Sequence, residues 1–79
     1  MRFHWYPENV AHVARHGLTP ADAEAIFRAK DFGFRQSLPK ERLEGEGTVD
    51  GKLYRAVFTQ PGPNEVLVIT AFRVRRRRT

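Results

Sequence analysis

The sequence contains no cysteine. That excludes a disulfide framework and a thiolate zinc site, and it fits a reducing interior. Long hydrophobic runs are also missing. The longest unbroken apolar stretch, Val66 to Ile69, falls far short of the roughly 20 residues needed to span a bilayer. The opening Met-Arg-Phe-His has no apolar h-region of the kind a signal peptide carries. The expectation is therefore a soluble, cytoplasmic protein with no membrane partner. There is no Gly-rich phosphate loop, no nucleophile elbow, no nucleic-acid-binding zinc motif and no internal repeat.

Acidic residues are outnumbered, nine Asp and Glu against 14 Lys and Arg, giving a formal net charge of +5. Arg73, Arg75, Arg76, Arg77 and Arg78 account for the whole excess and leave nine bases against nine acids elsewhere. The last seven residues would thus attract phosphate or an acidic protein. Arginine, with its planar fork of donors, also favours bidentate phosphate contact. A frayed, solvated tail is the alternative for Arg76 to Arg78, whereas Arg73 and Arg75 can still belong to a strand.

What remains suffices for one small core. The chain has 79 residues, 41% of them hydrophobic, with six Phe, two Tyr and Trp5. This is near the lower limit at which burial alone holds a fold, so regular, compact structure is expected. We expect a single α+β domain over residues 1–75 followed by a basic C-terminal tail over residues 76–79.

The stretch from Trp5 to Phe27 punctuates two helices. Pro7 suits the first turn of a helix because its missing N–H would have no partner there, and Glu8 favours the positive end of the dipole. Gly17 is placed to end that helix in a left-handed conformation, with Leu18 beyond it to make the accompanying apolar contact. Thr19 then caps a second helix, Pro20 begins it, and Asp22 completes a short-armed capping box. The spacing predicts helices over roughly Pro7 to His16 and Pro20 to Lys30. In the first, Val10, Val13, Ala14 and Gly17 form an apolar stripe beside a face of Asn9, His12 and His16. In the second, Ala23, Ile26 and Phe27 form the stripe, extended by the stem of Lys30.

Met1 to Trp5 reads as a brief strand or extended segment. Asp31 to Leu43 reads as a connection broken by Gly33 and Pro39, with a short strand around Phe32 to Arg35. Beyond it the apolar period becomes two. Leu43 to Val49 and Lys52 to Gln60 flank Asp50-Gly51, a two-residue hairpin turn whose residues tolerate positive φ. Leu53, Arg55, Val57 and Thr59 should share one face, and Tyr54, Ala56 and Phe58 the other. Pro61-Gly62-Pro63-Asn64 makes the next turn, and Glu65 to Arg73, apolar on both sides, should lie centrally. The expected architecture is an N-terminal helical hairpin packed on one face of a three- to four-stranded, mostly antiparallel sheet.

Trp5, Pro7, Glu8, Asn9, His12, Arg15, His16, Gly17, Thr19 and Pro20, followed by Ala23-Glu24, resemble the opening signature of the BrnT-type toxins, a branch of the RelE/ParE-like superfamily. Gly47-Thr48, Gly51-Lys52, Val57-Phe58-Thr59 and Val68-Ile69-Thr70-Ala71 resemble that family's hairpin and penultimate strand. The resemblance implies a RelE-like fold and a small ribonuclease toxin of a type II toxin-antitoxin system. It also implies RNA as a partner and neutralisation by a ribbon-helix-helix antitoxin; a homodimer or a hetero-oligomer with that antitoxin is the assembly to expect. Phe72 stands where the family commonly carries Arg, and Arg76 to Arg78 where an acidic residue is often seen. A non-catalytic relative that binds nucleic acid or protein is therefore the second expectation.

RNA cleavage of this kind needs no metal or other cofactor. A 2′-hydroxyl attacks the adjacent phosphate, histidine serves as acid or base, and arginine holds the charged phosphorus centre. The candidate catalytic residues are His12, Arg15, His16 and Arg73, and the candidate RNA-binding residues are Arg55, Arg75, Arg76 and Tyr54. Each has a plainer role open to it. His12 and His16 can be hydrogen-bonded packing residues, and Trp5 and Tyr54 can belong to the core rather than stack on bases. His12 and His16 also have the i, i+4 spacing of metal ligands, but without a third ligand at suitable spacing no metal is expected.

Overall fold

The structure, a computed structural model, describes residues 1–36 and 41–75. Pro39, in the expected connection, and the expected tail at residues 76–79 lie outside the described residues. The elements run β1 (Arg2–His4), α1 (Pro7–Ala14), α2 (Pro20–Phe27), β2 (Gly33–Gln36), β3 (Leu43–Val49), β4 (Lys52–Thr59) and β5 (Glu65–Arg73). The fold is α+β: two short helices and a five-stranded mixed sheet in the order β1-β5-β4-β3-β2.

The sheet departs from expectation in strand count and in sense. Five strands replace the three or four expected, because the N-terminal segment and the short strand after α2 both pair at its edges. β1 joins parallel to β5, with Arg2 opposite Glu65 and His4 opposite Leu67, so the sheet is mixed. β2 joins antiparallel to β3. β5 is flanked on both sides, as its apolar run requires, but β4 is the middle strand. The Asp50-Gly51 turn forms with φ of 51° and 78°, and it sets the register that places Glu46 opposite Arg55.

Both helices end earlier than the apolar spacing suggested. In α1 the Leu18 N–H donates to the Val13 carbonyl and the Gly17 N–H to that of Ala14, the paired bonds of a Schellman cap. Gly17 has φ of 76°, which a side chain would resist. In α2 the Arg28 and Ala29 N–H groups donate three residues back, to Ala25 and Ile26, so the last turn tightens and stops. At its start Thr19 Oγ1 accepts from Asp22 N–H at 3.1 Å, and Asp22 Oδ2 accepts from Thr19 N–H at 2.9 Å. That is the capping box expected there.

One face of the sheet carries the core. Val13, Ala23, Ile26 and Phe27 of the helices meet Ala56, Phe58, Val66, Val68 and Ala71 of β4 and β5. Burying each large member contributes roughly 1.5–3 kcal/mol. Gly47 lets α2 approach β3: a Cβ there would lie 2.5 Å from the Ile26 carbonyl oxygen and 2.9 Å from Ala29 Cβ. Among the described residues no helix packs on the other face.

Two side chains serve sheet edges that the short outer strands leave unpaired. β2 reaches β3 only as far as Glu46. Beyond it Asp31 accepts from the Thr48 N–H at 2.9 Å and from its hydroxyl at 2.6 Å. The hydroxyl bond, then the backbone bond, holds the Asp31 carboxyl below its ordinary 3.8. The second such contact, from His12, lies at the candidate site.

Candidate functional site

The candidate site is built on the end of α1. The last turn of a helix presents unpaired carbonyls and the negative end of the dipole, so basic side chains are stabilised there. His12 lies in that turn, Arg15 is the C-cap residue and His16 follows, all three exposed. β1 covers β5 only as far as Leu67. Beyond that point His12 Nδ1 lies 3.1 Å from the Ile69 carbonyl oxygen. A carbonyl can only accept, so Nδ1 carries the hydrogen and Nε2 of the neutral ring keeps a lone pair. One turn later His16 packs its ring on Phe72, with centroids 5.6 Å apart and planes tilted by 48°. Helix and strand therefore run alongside each other in the same direction, and Arg73 follows Phe72 at the exposed end of β5.

Arg15 and Arg73 pair with no carboxylate among the described residues. Arg73 sits opposite Tyr54, on the face that the helices cover. Tyr54 is half-buried, packs against the core and lines a small cavity of about 180 Å³ with Gly17, Leu18, Asp22, Val49 and Asp50. Arg75, just beyond β5, is exposed. Arg76 lies outside the described residues. Thus His12 and His16 lie along the second half of β5, Arg15 stands between them in the chain at the C-cap of α1, and Arg73 follows Phe72 with Tyr54 as its cross-strand partner.

Arg55 stands apart. Alternation along β4 sends it to the face opposite Ala56 and the helices, where Nε donates to Glu46 Oε2 at 2.8 Å and Nη2 to the same oxygen. Its charge is offset by a carboxylate. A groove of about 530 Å³ lies on that same face, lined by Arg35, Glu44, Glu46 and Arg55, with Phe34 and Val74 also in its wall. Two carboxylates beside two guanidinium groups give no net attraction for a phosphate, and the smaller cavity, with Asp22 and Asp50 in its wall, gives none either, so a phosphate would have to meet the exposed basic side chains at the end of α1.

Trp5 is structural: its ring packs against the core, and Nε1–H donates to Glu24 Oε2 at 2.8 Å. Among the described residues no three His, Asp or Glu side chains gather where they could hold a metal ion. Two partners were not foreseen. Glu46 could have been found by counting outward from the Asp50-Gly51 turn, which places residue 46 opposite residue 55. The Ile69 carbonyl carries no sequence signal, because it is backbone and its availability depends on where β1 stops.

No protein-family model, no curated protein and no solved structure matches the chain.

Proposed function

We propose that this chain is a toxin-like, metal-independent endoribonuclease of RelE-like architecture, held inactive by a ribbon-helix-helix antitoxin in a type II toxin-antitoxin system. The observation that carries this is the orientation of His12: Nδ1–H is held by the Ile69 carbonyl, and Nε2 is left as an exposed proton acceptor beside the unpaired Arg15. In the proposed reaction His12 Nε2 takes the proton of a ribose 2′-hydroxyl, and the 2′-oxygen forms a bond to the adjacent phosphorus. The bond from phosphorus to the 5′-oxygen breaks, and His16, in its imidazolium form, protonates that oxygen. The products are a 2′,3′-cyclic phosphate and a 5′-hydroxyl. Arg15 and Arg73 hold the phosphate oxygens as charge builds on them. The Ile69 carbonyl also stabilises the imidazolium that forms on His12.

Induced expression of the wild type beside His12→Ala and Arg73→Ala, scoring growth and RNA integrity, tests the proposal. Loss of a general base is expected to slow cleavage by about 10²- to 10⁴-fold while RNA binding persists. A harmless wild type that leaves RNA whole ends the enzyme proposal. A small antitoxin reading frame beside the gene would support it.

One contact favours a second function, that of a non-catalytic nucleic-acid or protein-binding module. Phe72, which stands where BrnT-type toxins commonly carry Arg, packs on His16 and thereby occupies one side of its ring. For such a module RNA affinity should fall steeply with salt, and deleting Arg75 to Thr79 should flatten that slope, with no cleavage at any stage.

A further inference from the structure

We infer that the uncovered face of the sheet docks a second copy of this chain, sheet against sheet. A two-fold interface uses one patch twice, so the patch must complement itself. The charges on this face do so in an ordered way. Across the sheet their sign alternates strand by strand: Arg2 on β1, Glu65 on β5, Arg55 on β4, Glu44 and Glu46 on β3, and Arg35 on β2. Within the strands these three arginines and three glutamates sum to zero, although the chain as a whole carries +5. Two like-charged chains therefore repel least at this face. A second sheet displaced by one strand would set arginine strands over glutamate strands. Between the charges lie the half-buried side chains of Leu53, Val57 and Leu67, apolar area that a second sheet would remove from water.

The charged residues of this face include none of His12, Arg15, His16 and Arg73, so the inference does not depend on the ribonuclease proposal. Sedimentation equilibrium of the full chain at about 10–100 µM, where an interface of micromolar affinity is populated, is expected to return a dimer mass. Glu46→Arg makes the face net positive and Arg55→Glu makes it net negative. Each alone should weaken self-association more than tenfold, and an equimolar mixture of the two should regain the dimer mass. Circular dichroism reports whether each variant is folded. Should either be unfolded, Val57→Glu takes its place and is expected to give a folded monomer. A monomeric wild type, single variants that keep the dimer mass, or a mixture of folded variants that stays monomeric overturns the proposal. Protection of this face by a different protein without self-association would also overturn it, assigning the face to that partner.

Discussion

On one side of β4, Ala56 and Phe58 are sealed under the helices; on the other, Arg55 and Val57 alternate with them and face no helix among the described residues. The covered side is held by volume. Its aromatic rings meet edge to face, Phe27 against Phe3 and Phe58 with centroids 5.3 and 4.9 Å apart. The uncovered side is held by cross-strand charge, Arg55 with Glu46 and Arg35 with Glu44. A packed core responds steeply to a lost methylene, whereas an exposed ion pair contributes little. Stability should therefore be concentrated on one side of the sheet, leaving the other free to vary with what it binds.

The largest expected effect comes from emptying the core. Ile26 is fully buried, and Ile26→Ala should cost about 3 kcal/mol, a large part of the few kcal/mol that stabilise a domain of this size. Urea denaturation measures it. Gly47→Ala comes next: the added methyl meets the Ile26 carbonyl, backbone that cannot swing aside, and a loss of about 2 kcal/mol is expected. Val57→Ala, on the uncovered side, should cost about 1 kcal/mol or less at low protein concentration. If its cost grows with protein concentration, the face is covered by a second copy and the contrast between the two sides narrows.

Much of this was legible in the sequence where local chemistry decides the structure. Thr19, Pro20 and Asp22 announce the start of α2, Gly17 the end of α1, and Asp50-Gly51 the hairpin, because each rests on a backbone group satisfied within a few residues. The alternation of Arg55 and Ala56 through β4 was legible for the same reason. Strand partnership was not. Arg2–His4 and Gly33–Gln36 are too short for a periodic signal, and they become strands only because β5 and β3 offer unpaired edges. The candidate site divides in the same way. His12, Arg15 and His16 are fixed together by helix spacing, but the separation of Arg55 from them follows from strand parity combined with which face the helices cover.

The smallest effect sits at the rim between the two faces, where short outer strands leave long ones unpaired. His12 supplies a donor to the Ile69 carbonyl at one edge, and Asp31 supplies acceptors to Thr48 at the other. The folded chain holds the proton on Asp31 more weakly than the unfolded chain, since both Thr48 bonds favour the carboxylate. Its contribution is therefore fully present above the unfolded value near 3.8 and is lost as pH falls through the lower folded value. Asp31→Asn removes that dependence. The stability difference between wild type and variant should be constant around neutral pH and shrink on acidification below about 4. Paired denaturation curves at neutral and acid pH measure it. A difference that persists unchanged in acid would mean that Thr48 is held by shape rather than by charge, and that this edge belongs energetically with the packed face.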